Sequence, residues 1–176
     1  DLTDQALSYL DRRASLKDEP FFLYFCHFAV HGPWQSKSED STYFADKNTL
    51  GWNGHKYPHY AGMVRGLDNS VGKILEKLEE TGLEDNTLVI FMSDNGGWDH
   101  RVSTRGDKGT SCAPLRGGKA CLSEGGIRVP LVVRWKGKVK SGQWCDVPVD
   151  CTDLFPTILQ AAGYDLESYY NEVDID

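Results

Sequence analysis

The chain has 176 residues, 40% hydrophobic and 26% charged, enough for a core of its own and unlike low-complexity or disordered sequences. Its 26 acidic and 19 basic residues leave a formal net charge of -7. That balance excludes a general nucleic-acid binder with a basic face, but not a local cationic site for anions. No apolar run reaches the length of a membrane span; the most apolar, Phe21 to Val30, is strand-sized and contains His27. The five cysteines, Cys26, Cys112, Cys121, Cys145 and Cys151, form no Cys-x-x-Cys pair, so a zinc ribbon or thioredoxin-like motif is excluded.

In chain order, Leu2 to Ser15 reads as a helix, with Leu2, Ala6, Tyr9 and Leu10 near helical spacing. After Pro20, "FFLYFCHFAV" (Phe21 to Val30) is expected to be a buried strand, apolar on both faces and stopped by Gly32 and Pro33. Gln35 to Pro58 is polar and predicts an irregular excursion. Tyr60, Val64, Leu67, Val71, Ile74 and Leu78 then form one apolar stripe of a long helix that Gly82 ends. "NTLVIFMSD" predicts a second buried strand, Gly96 to Gly126 an irregular glycine-rich stretch, and "VPLVVRW" a third strand. "CTDLFPTILQAAG" predicts a last helix capped by Thr152 or Asp153, with Pro156 near its first turn and Gly163 at its end. This order of elements implies an α/β fold.

In open α/β sheets, ligands bind beyond the carboxyl ends of the strands. The first strand ends at His31 and the second at Asp94 and Asn95. A carboxylate and a carboxamide are hard oxygen ligands that suit calcium or magnesium better than zinc. Gly96 and Gly97 permit close approach of backbone or ligand, although Asp-Asn-Gly-Gly is more commonly a tight turn. Two oxygens also supply only part of the six to eight that calcium takes. His31 is a strand-end histidine that either hydrogen-bonds locally or serves a site. Lys119 lies in "LRGGKACLSEGGIRVP", where four glycines open the backbone and a lysine can reach an anion; an exposed loop lysine is the plainer alternative. Trp34, Trp52, Trp98, His100 and Arg101 either line a ligand pocket or anchor loops.

Taken together and in order, "PFFLYFCHFAVHGPW", "YAGMVRGLDNSVGKILEKLEETGLEDNTLVIFMSDNGG", "LRGGK", "EGGIRVPLVVRW" and "DLFPTILQAAG" resemble the sulfatase family of the alkaline-phosphatase superfamily. The resemblance implies a partial α/β/α sandwich with a mostly parallel sheet. Residues 1–176 would form a single partial domain, the later part of the catalytic domain. It implies a sulfuric ester hydrolase that uses Ca2+, with Mg2+ as the alternative, and a formylglycine nucleophile. By resemblance, Asp94 and Asn95 are metal ligands, His31 lies near the leaving oxygen of the sulfate ester, and Lys119 binds the sulfate. Sulfuryl transfer spreads negative charge over equatorial oxygens, which a cation and a lysine stabilise, while a histidine can serve the departing oxygen.

The resemblance further implies a sulfate ester substrate, such as a sulfated sugar, and neither nucleic acid nor membrane as partner; relatives are usually exported or lysosomal. Asn95 favours a harder ion than the Asp-His pair of phosphate-cleaving relatives. A phosphate or phosphonate ester hydrolase and a non-catalytic anion-binding chain are the alternatives. The sequence departs from the family pattern in two ways. It lacks the Cys-x-Pro-Ser-Arg formylglycine motif and an Asp-Asp pair upstream of His31. "CAPLR", Cys112 to Arg116, has Leu115 where the motif has serine and stands out of family order, so it reads as loop. An internal fragment is therefore expected, inactive alone, with uncovered strand edges that favour self-association.

Overall fold

Asp1 starts the first helix with a reciprocal cap: its carboxylate accepts the Asp4 N–H at 3.0 Å, and the Asp4 carboxylate accepts from the Asp1 nitrogen at 2.9 Å. The computed structural model describes residues 1–16, 18–47, 51, 55–99 and 110–167. Helix α1 spans Leu2–Ala14, with Ser15 as its C-cap, and buries Ala6 and Leu10. Helix α2 spans Ser38–Ala45 and helix α3 Pro58–Glu80. Pro58 opens α3, where its missing N–H costs nothing. Gly82, at φ +69°, takes the left-handed turn that ends it.

Helix α1 packs on α3. Leu10 and Leu78 are 1% and 3% exposed. The Thr3 and Ser70 hydroxyls meet at 2.8 Å across this contact, and Lys77 Nζ bridges Asp11 at 3.2 Å and Glu80 at 3.1 Å. Helix α2 was not expected. "SEDSTYFA" has no continuous apolar stripe, so local periodicity does not mark it; α3 supplies the support. Asp40 of α2 is buried and lies 3.4 Å from Arg65 Nε. Gly62 permits the approach, since a Cβ there would meet Ser36 Oγ at 2.6 Å.

The expected strands and sheet need two corrections. Strand β1, Val89–Met92, pairs with β2, Leu131–Arg134, and the pair is antiparallel, not part of a mostly parallel sheet. Its register sets Val89 against Arg134 and Met92 against Leu131. The segment 93–130 leaves β1 and re-enters β2 at the same end of the sheet. Its described part contains only the one-turn helix α4, Glu124–Ile127. A parallel pair would need a crossover back along a full strand length.

The segment Phe21 to Val30 is not a ladder strand either. Burial alternates along residues 21–28, as extended backbone dictates. No other described segment forms a ladder with it, and one face is open: Phe22, Tyr24 and Phe28 are 69%, 81% and 78% exposed. The aromatic run therefore buries one face, not two.

The described chain falls into two compact units, Asp1–Trp135 and Lys136–Asp176. The second holds helix α5, Leu154–Ala161, preceded by a 3-10 turn at Cys151–Asp153. Asp153 holds the N-cap position of α5, one of the two expected, and Asp150, two residues before Thr152, caps the 3-10 turn. The Asp150 carboxylate accepts from Thr152 N at 2.7 Å and Thr152 Oγ1 at 2.6 Å, and the Asp150 N–H donates to the Asp153 carboxylate at 2.8 Å. Gly163, at φ +88°, follows the helix as expected. Among the described residues, no helix is long and apolar enough to cross a membrane.

Candidate functional site

Because Met92 and Leu131 face each other in the sheet, both ends of the 93–130 segment lie at one edge. Asp94 and Asn95 follow β1 directly, and Lys119 lies on the same excursion. Three glycine pairs fold its described parts onto each other. Gly96 N donates to Gly126 O, and Gly125 N to Arg116 O, both at 2.8 Å. Lys119 N donates to Gly97 O, also at 2.8 Å.

No side chain fits between these backbones. A Cβ on Gly96 would lie 2.0 Å from Gly125 O, on Gly125 2.2 Å from Gly117 O, and on Gly126 1.9 Å from Cys121 O. Gly118 would meet Gly97 O at 2.7 Å. The glycines of "DNGG", "LRGGK" and "EGGI" thus form a backbone-to-backbone layer, and this layer joins the turn bearing Asp94 and Asn95 to the loop bearing Lys119. Sequence reading expected Gly96 and Gly97 to admit backbone or ligand; what they admit in the structure is backbone. The recurrence of three Gly-Gly pairs was the available signal.

His31 is exposed, and its Nδ1–H donates to Gly32 O at 2.8 Å, leaving Nε2 for a ligand. Its own N–H donates to Phe28 O at 3.0 Å. Beyond it, Trp34 packs edge-on against Tyr57 at 5.1 Å and Tyr60 at 5.8 Å. Trp34 is therefore an anchor for the start of α3. Burial pushes the Tyr60 hydroxyl up, and the Cys112 thiol adds to the shift. The Tyr24 hydroxyl is also raised, first by its hydrogen bond with Cys26 and further by the Asp94 carboxylate. No hydrogen bond or ion pair among the described residues links His31 to Asp94, Asn95 or Lys119.

Asp94 is exposed, while Asn95 and Lys119 are half-buried. Asp94 and Asn95 fit a hard cation in kind, as adjacent oxygen donors, and supply two of the oxygens calcium requires. Among the described residues, no group of three or more His, Cys, Asp or Glu could hold a metal ion. Trp98 is 37% exposed beside the glycine layer; Trp52, His100 and Arg101 lie outside the described residues. Cys112 of "CAPLR" is engaged in the loop: its thiol donates to Gly97 O at 3.2 Å and its N–H to Asp99 Oδ2 at 3.1 Å.

Comparison with known proteins finds sulfatases among the relatives of this chain. The chain is 36% identical to rat (Rattus norvegicus) steryl-sulfatase over 166 residues, which are 94% of this chain and 26% of that protein. It is 36% identical to human (Homo sapiens) N-acetylgalactosamine-6-sulfatase over 159 residues, 90% of this chain and 27% of that protein. Thus the chain spans about a quarter of the length of these relatives. The solved structure of Ps i-CgsB with k-i-k-neocarrahexaose matches at TM-score 0.78 and 38% identity, covering 93% of this chain and 34% of that one. The PsFucS1 sulfatase from Pseudoalteromonas sp. matches at TM-score 0.74 and 30% identity, covering 94% of this chain and 30% of that one. These matches support a partial sulfatase fold. With the Sulfatase family model matching residues 1–164, the chain belongs to the sulfatase family.

Proposed function

We propose that the chain is the later part of the catalytic domain of a sulfuric ester hydrolase and carries the anion- and metal-facing half of its active site. The observation that supports this most is the glycine layer. Through it, the turn bearing Asp94 and Asn95 and the loop bearing Lys119 share one rigid backbone, closed by the 2.8 Å bond from Lys119 N to Gly97 O. A site for an anionic sulfate ester, whose sulfuryl oxygens carry the charge during transfer, needs such fixed cationic and metal-binding groups at one place.

In this reading Asp94 and Asn95 hold Ca2+ together with ligands from elsewhere in the protein. When bound, the ion supplies positive charge to the sulfate oxygens. The Lys119 ammonium draws the sulfate and balances the charge on its equatorial oxygens. His31, fixed at Nδ1 by Gly32 O, uses Nε2 to give a proton to the departing oxygen as the S–O bond breaks. The nucleophile, a formylglycine, lies outside residues 1–176, and these residues alone do not turn over substrate. The substrate is a sulfated sugar. Support comes from N-acetylgalactosamine-6-sulfatase among the relatives and from the structure bound to k-i-k-neocarrahexaose.

The test compares hydrolysis of p-nitrophenyl sulfate and p-nitrophenyl phosphate by the complete natural protein with Ca2+. Lys119→Ala and His31→Ala should each lower kcat/KM on the sulfate by about a hundredfold or more. Preference for the phosphate, or variants as active as the parent, would overturn the reading.

A further inference from the structure

Asp99 is a carboxylate with no exposed surface (0%), and neither the metal nor the anion role uses it. Burying a carboxyl group is costly unless hydrogen bonds or ion pairs compensate it, so the partners of Asp99 matter. Asp99 stands at a crossing of three strands of loop. Its Oδ2 accepts the Cys112 N–H at 3.1 Å. Its Cβ lies 2.7 Å from where a Gly118 side chain would begin, so Gly118 rests directly on it. On either side of it the backbone is tied again. Thr110 Oγ1 donates to Trp98 O, Cys112 Sγ to Gly97 O at 3.2 Å, and Lys119 N to Gly97 O at 2.8 Å. Residues 97–99 therefore form a wedge between 110–112 and 118–119, and the Asp99 side chain is its only buried ionisable group.

We infer that Asp99 is the positioning residue of Lys119: it fixes the 110–112 loop by its hydrogen bond from the Cys112 N–H and offers the surface on which Gly118 and Lys119 settle. Losing this acceptor leaves the half-buried Cys112 N–H without its partner. The inference rests on the proposed role of Lys119 only for its functional consequence; the geometry stands without it.

Hydrogen exchange of the protein, read by mass spectrometry on peptides covering 110–122 and 131–135, tests it. Asp99→Ala should speed exchange in 110–122 about tenfold or more, with 131–135 within about twofold of the parent. Asp99→Asn keeps an acceptor oxygen for the Cys112 N–H and should recover most of the lost protection. Unchanged exchange in 110–122, or equal loss in both peptides, or no recovery with asparagine, would each overturn the positioning role. Inorganic sulfate is the second probe. It should protect 116–122 in the parent and in Asp99→Asn, and bind about tenfold more weakly in Asp99→Ala. A parent that sulfate does not protect would refute the anion-binding reading of Lys119, while the exchange comparison would still decide the role of Asp99.

Discussion

Lys119 and Gly97, 22 residues apart in the chain, are joined by a backbone hydrogen bond of 2.8 Å. This one bond ties the loop carrying the candidate sulfate-binding lysine to the turn carrying the candidate metal ligands. It forms because Gly118 has no side chain: a Cβ there would meet Gly97 O and the Asp99 Cβ, each at 2.7 Å. The relative placement of two chemical groups is thus set by an absence of atoms, and not by a contact of either group.

Glycines in this chain should therefore respond to alanine with opposite signs. Gly96→Ala forces a Cβ to 2.0 Å from Gly125 O, and should destabilise by about 1–3 kcal/mol through backbone displacement. Gly66, inside α3, would meet nothing within 4 Å. Gly66→Ala should stabilise by about 0.5–1 kcal/mol, because alanine loses less backbone entropy in a helix. Urea unfolding midpoints of the two variants check the sign directly.

Leu10 and Phe28 give a second contrast. Leu10 is 1% exposed between α1 and α3, and Leu10→Ala should cost about 2–5 kcal/mol. Phe28 is 78% exposed, so Phe28→Ser should shift stability by no more than about 0.5 kcal/mol. Together with Phe22→Ser it should reduce self-association of the 176-residue chain, since both substitutions remove exposed apolar surface. Sedimentation velocity across a concentration series reads that change. A chain that stays monomeric without the substitutions would contradict the expectation of self-association.

The cap of the 3-10 turn that leads into α5 carries a pH dependence of defined sign. Hydrogen bonds from Thr152, first through its hydroxyl and then its N–H, hold the Asp150 carboxyl below its ordinary value of 3.8. A carboxylate depressed in the folded state stabilises above its unfolded pKa and loses that contribution as pH falls through the folded one. Asp150 should thus titrate below 3.8 by carboxyl NMR, and α5 should fray only under more acidic conditions. A midpoint at or above 3.8 would show that the cap is not formed in solution.

Calcium gives a fourth test. Asp94→Ala should weaken Ca2+ binding by the complete protein about tenfold or more, since it removes the charged ligand of the pair. Asn95→Ala removes a neutral one and should cost less. Isothermal titration with CaCl2 ranks the two. Equal affinity in the parent and in Asp94→Ala would remove Asp94 from the metal site.

Much of this was legible along the chain. The stripe from Tyr60 to Leu78 marks α3, the spacing of Ala6 and Leu10 marks α1, Gly82 and Gly163 mark helix ends, and both paired strands fall inside their apolar runs. Each is a short-range pattern that backbone geometry converts into an element without reference to the rest of the fold. The residues nominated for chemistry also stood out by type and order: His31, Asp94, Asn95 and Lys119.

What tertiary structure decided is long-range. The Met92–Leu131 register makes β1 and β2 antiparallel, and strand composition does not encode direction. Helix α2 exists because Gly62 admits Ser36 and Asp40, a fit that periodicity does not reveal. The outer face of Phe22, Tyr24 and Phe28 is open because burial depends on a neighbour as well as on hydrophobicity. The sequence alone named the candidate groups and most of their elements. Only the packing of Gly96, Gly97, Gly117, Gly118, Gly125 and Gly126 brought the Asp94 turn and the Lys119 loop together, because backbone contacts between distant segments depend on which side chains are missing.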